Sequence, residues 1–100
     1  MSSIRFTVLI VYGNDAEWKP LMDLLSNRGC SVAAVRGGKK ALTTVEIEHF
    51  DLILLDHDLH DMPGLSVLQS LSASAREQVF FFAEVGDQTS LNEAKALGAY

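Results

Sequence analysis

Six consecutive residues, Asp56-His57-Asp58-Leu59-His60-Asp61, carry three carboxylates and two imidazoles. Side chains of these types hold cations, accept backbone N–H groups or change charge near neutral pH. Asp56 stands apart from the rest, because it closes the apolar run Leu52-Ile53-Leu54-Leu55 and so falls where a buried strand ends. A carboxylate in that position is costly to desolvate unless it is paired, protonated or bound to a cation. Its plainer role is to accept backbone N–H groups at the strand end. The spacing of His57 and His60 among the acids suits zinc, nickel or copper, although a loop of this composition is more simply a solvated polar turn. The histidines would also make it sensitive to mild acid. Elsewhere, Gly37-Gly38-Lys39-Lys40 lacks the spacing of a phosphate-binding loop and reads as a helix start. Cys30, without a histidine in a nucleophile pattern, reads as a buried structural thiol. Trp18 reads as a core or rim residue of the first helix.

Positioning Asp56 requires a set of elements that the apolar pattern supplies. Residues 6–11 and 51–56 are short, largely β-branched or leucine-rich runs between turn signals, as expected of strands buried on both faces. Residues 30–35 and Val79–Phe82 complete four strands. Between them, Trp18, Leu21, Met22, Leu24 and Leu25 recur at helical spacing over 15–28, and Ala41, Leu42, Val45 and Ile47 do so over 39–49. Leu65, Val67, Leu68 and Leu71 follow Pro63-Gly64, and Leu91, Ala94, Ala96 and Leu97 lie between Gly86-Asp87 and Gly98. Pro20 requires the first helix either to begin late, near Glu17, or to bend in its first turn. The order βαβαβαβα predicts an α/β fold with a parallel sheet covered on both faces, built as one domain over residues 1–100. In such a sheet ligands bind beyond the carboxyl ends of the strands, here residues 12–15, 56–61 and 83–87.

The balance of thirteen acidic and eight basic residues, a formal charge of -5, excludes the basic stripe that direct nucleic-acid binding needs. No apolar run approaches the length of a membrane span. With one cysteine and no long apolar stretch at the start, the expected compartment is the cytoplasm.

The strand Val8-Leu9-Ile10-Val11, Gly29, Arg36-Gly37-Gly38 with Ala41-Leu42, the run closing at Asp56, Gly64-Leu65 eight residues later, and Gly86-Asp87 with Ala96-Leu97-Gly98-Ala99 together resemble the receiver domain of bacterial response regulators. The resemblance implies a flavodoxin-like, CheY-like doubly wound sheet, of order 2-1-3-4 here, lacking the fifth strand and helix. It implies phosphoryl transfer from a histidine kinase to Asp56. It further implies a magnesium (Mg) ion held by an acidic pair after strand one, by the phosphoacceptor and by the carbonyl of Asp58. Tyr12 and Gly13 stand where the acidic pair belongs, with Asp15 the nearest replacement and its helix-capping role the simpler one. Ala83 stands where a hydroxyl is expected, His60 where a proline is, and the strand carrying the lysine is absent.

The expected function is therefore a degenerate receiver, not an enzyme, acting through contacts with a histidine kinase or another signalling protein. The alternatives are a phosphorylatable receiver using Asp56 and a metal-binding or small-ligand-binding flavodoxin-like protein. The unfinished sheet predicts a homo-oligomer through Val79–Phe82, an aromatic edge strand with the last helix beside it.

Overall fold

The computed structural model describes residues 6–13, 15–82 and 88–99. Four strands, β1 (Thr7–Tyr12), β2 (Ser31–Arg36), β3 (Leu52–Asp56) and β4 (Val79–Phe82), form one parallel sheet in the order β2-β1-β3-β4. The two most apolar runs supply the two central strands. Val8 to Val11 of β1 are fully buried, and β3 is buried from Ile53 to Asp56. The helices are α1 (Asp15–Asn27), α2 (Gly38–Ile47), α3 (Gly64–Ser70), α4 (Ala73–Arg76) and α5 (Gln88–Ala96).

Alternation along the strands sorts the core into two unequal layers. Leu9, Val11, Ile53, Leu55, Val79 and Phe81 pack with Ala41 of α2, Val67 and Leu68 of α3 and Ala94 of α5. The opposite face, with Val8, Ile10 and Leu54, packs against Trp18 of α1 and the partly buried Leu21, Met22 and Leu25. Helix α1 is the cover of that face among the described residues. At β4 the face lies open: Phe80 is 48% and Phe82 43% exposed.

Several expectations need correction. Helix α1 starts at Asp15, so the late start near Glu17 does not occur, and Pro20 sits inside the helix. Leu24 and Ile47 belong to the apolar spacing but are exposed, because they fall at the margin of their helical stripes. The strand Val79–Phe82 is not exposed throughout: Val79 and Phe81 point into the larger core layer and only the alternate phenylalanines face out. Cys30 is half-buried one residue before β2. The short α4 was not anticipated; Ser72 caps it by accepting the Ala75 N–H at 3.2 Å.

Gly37 offers α2 no capping side chain, and Asp61 supplies one from across the fold. Its Oδ1 accepts the Gly38 N–H at 2.8 Å and its Oδ2 the Lys39 N–H at 3.1 Å. These donors, Gly38 first, hold the Asp61 carboxyl below the usual carboxylate range. Asp51 is lowered likewise by the Thr7 backbone N–H and hydroxyl, which tie the start of β1 to the entry of β3. A lowered folded-state value stabilises above the unfolded-chain value and is lost as pH falls through the lowered one. Asp61→Ala should therefore melt a few degrees below the parent at pH 7. That gap should begin to close below about pH 4, as thermal melts across the acid range would show.

Candidate functional site

The reversal of strand order lies at β1, between β2 and β3, so the crevice at the carboxyl ends of β1 and β3 is where a site belongs. Asp56 ends β3 there, with only 7% of its surface exposed. It shares the α1 face with Tyr12, Leu54 and Phe82, and Phe82 is its register partner on β4. Gly64 packs behind it: a Cβ at Gly64 would run into the Asp56 carbonyl oxygen, and its N–H binds the His57 carbonyl at 2.8 Å. That close approach accounts for the Pro63-Gly64 sequence eight residues past the acid.

Both carboxylate oxygens of Asp56 meet donors from the chain itself. Oδ2 accepts the indole N–H of Trp18 at 3.2 Å. Oδ1 lies 3.1 Å from His57 Nδ1 and accepts the Asp58 backbone N–H at 3.3 Å. His57 Nδ1 also lies 3.2 Å from the Phe82 carbonyl oxygen. Both neighbours of that nitrogen are acceptors, so Nδ1 serves as a donor. Trp18 meets Phe82 edge-on, with ring centroids 5.2 Å apart and planes at 87°.

The loop after Asp56 folds back through an antiparallel bridge between Asp58 and Pro63. This brings the Asp58 carbonyl oxygen against Gly13, so close that a Cβ at position 13 would collide with it. The Asp58 side chain itself is exposed. His57 and His60 do not converge: His57 turns to Asp56 and Phe82, whereas His60 lies against Gly37 after β2. Among the described residues no three His, Cys, Asp or Glu side chains are grouped to hold a metal ion. Asn14, the Asp15 side chain, Ala83, Gly86 and Asp87 lie outside the described residues.

Trp18 is the member of this site that residue types alone did not reveal. A signal existed, since a buried indole N–H needs an acceptor and Asp56 needs donors. Thirty-eight positions separate them in sequence.

A parallel 2-1-3-4 sheet with a buried aspartate at the end of its third strand defines a receiver-type module, and comparison with known proteins agrees. The family described as the response regulator receiver domain matches residues 8–100, and the chain belongs to it. It is 35% identical over 78 residues to the sensor protein GacS of Pseudomonas syringae, covering 78% of this chain and 9% of that protein. It is 35% identical over 65 residues to the polar-differentiation response regulator DivK of Brucella ovis, covering 65% of this chain and 53% of DivK. The chain thus spans about half of DivK and a small part of the sensor protein. A receiver protein from Pseudomonas putida superposes with a TM-score of 0.85 at 20% identity, over 98% of this chain and 84% of that one. Chemotaxis response regulator CheY4 of Vibrio cholerae gives 0.85 at 20% identity, over 96% and 82%. These likenesses establish a receiver domain of two-component signalling with the CheY-like fold.

Filling the place of the missing Gly13 side chain must displace backbone, not a flexible side-chain tip. Gly13→Ala is expected to destabilise the domain by about 1–3 kcal/mol. Denaturant midpoints of the two proteins, compared at equal m-value, would measure it.

Proposed function

We propose that this receiver works through protein contacts and not by metal-assisted phosphoryl uptake, its aspartate being satisfied internally. One observation carries the reading: Trp18, His57 and the Asp58 N–H already engage both oxygens of Asp56. Taking up a phosphoryl group would bring more negative charge against that carboxylate, and a divalent ion is the usual offset. The described residues do not fit one. Tyr12 and Gly13 bring no carboxylate to the end of β1, and the Asp58 carbonyl oxygen lies against Gly13. Asp56 would then be a retained phosphoacceptor position and Asp58 a spent metal-ligand position.

Incubation with acetyl phosphate and magnesium, followed by intact-mass measurement, tests this directly. An unchanged mass is expected. One added phosphoryl group that disappears in Asp56→Asn would establish instead a receiver phosphorylated on Asp56.

The partners of such a module would be a histidine kinase or another signalling protein in the cytoplasm; among the described residues no helix is long and apolar enough to cross a membrane. A second copy is the occupant proposed for β4. The bonds from Ile53 N to Gln78 O and from His57 N to Phe82 O fix which residues face β3. The backbone groups of Val79 and Phe81 consequently face away from it, where no strand lies among the described residues. A two-fold axis would pair this edge with itself and bring the half-exposed Phe80 and Phe82 of both copies together. Sedimentation should show concentration-dependent dimers, and Phe80→Glu should return the monomer with an unchanged far-ultraviolet spectrum. A parent protein that stays monomeric at every concentration would exclude the pairing.

A further inference from the structure

The Asp56 carboxylate and the exposed face of β4 are joined by two short routes. Along the first, the Trp18 indole donates to Asp56 Oδ2 at 3.2 Å while its ring stands edge-on against Phe82. Along the second, His57 Nδ1 lies within 3.2 Å of both Asp56 Oδ1 and the Phe82 carbonyl, and the His57 N–H binds that carbonyl at 2.8 Å. One end of this linkage is buried: Asp56 and Trp18 are each 7% exposed. The other end, the Phe82 ring, reaches the surface.

We propose that Trp18 is a positioning residue that transmits the state of Asp56 to the β4 face. With the carboxylate present, the indole N–H is satisfied and the ring is held against Phe82. Any event that takes away the acceptor, whether substitution, covalent capping or withdrawal of Asp56 by a bound protein, leaves a buried indole N–H without its partner. Such a group cannot stay where it is without cost. Trp18 must turn toward another acceptor or toward water, and Phe82 loses the ring that fixes it. Helix α1 moves the same contact, since Trp18 is its deepest side chain on this face. A partner docked on α1 and one docked on β4 would thereby sense each other through one side chain. The output part of this assignment rests on the reading of β4 as a contact face.

Trp18 is the sole tryptophan, so its emission reports this site alone. Asp56→Ala is expected to raise acrylamide quenching of Trp18 several-fold and to shift the Phe82 backbone and ring resonances, with an unchanged far-ultraviolet spectrum. Asp56→Asn, which keeps an oxygen acceptor, should restore most of the parent behaviour and also guards against misfolding of the alanine variant. The decisive measurement is a double-mutant cycle. Trp18→Phe keeps an aromatic ring but removes the N–H, so adding Asp56→Ala to it should move the Phe82 ring resonances clearly less than Asp56→Ala does in the parent, only the route through His57 remaining. Equal shifts of Phe82 from Asp56→Ala in both backgrounds, or none in either, would overturn the proposal. All spectra are to be recorded in the Phe80→Glu background, where self-association is suppressed. Phe82 shifts there together with a monomeric parent would support the linkage and reject the dimer, whereas dimers with an unmoved Phe82 would do the reverse.

Discussion

A carboxylate placed at the desolvated end of a central strand has to be met by positive charge or by hydrogen-bond donors, and the surroundings of Asp56 follow from the way this chain meets it. The donors come from three places: helix α1 through Trp18, the next residue through His57, and the loop backbone through Asp58. Each fixes something further. The indole ties α1 to the end of β3, the imidazole is turned between Asp56 and Phe82, and the loop turns back tightly enough that Gly13 and Gly64 have no room for side chains. No buried side-chain polar atom among the described residues is left without a partner.

The fold was legible because its strongest signals are local. Val8-Leu9-Ile10-Val11 and Leu52-Ile53-Leu54-Leu55 are too uniformly apolar for anything but central strands, and Gly29 and Gly98 mark the ends of α1 and α5 where expected. Residues 73–76 escaped notice because four residues carry no periodicity. The alternation of Val79 to Phe82 was hidden for a related reason: three successive phenylalanines look alike on both faces, and only the placement of the helices decides which are covered.

The site was legible in its residue types and not in its contacts. Asp56, and Tyr12 and Gly13 in place of acids, could be read directly, since each is a matter of which residue stands at a strand end. The linkage to Trp18 could not, because it depends on how far α1 leans across the sheet and on one rotamer. The loop of acids and imidazoles, which suggested a single cluster, is instead divided among three tasks. Asp56 and His57 face α1 and β4, Asp61 caps α2, and His60 lies against Gly37. Helix capping by a residue twenty-three positions away has no sequence signature.

The contact between Gly13 and the Asp58 carbonyl also limits which substitutions the chain can accept. An acidic side chain introduced at position 13 would meet the Asp58 backbone first, so that substitution alone yields a strained loop. The loop would have to open first, and opening it alone confers nothing while Tyr12 and Gly13 remain. The two changes are therefore coupled: a side chain at position 13 and the present course of the loop exclude each other through a single backbone oxygen.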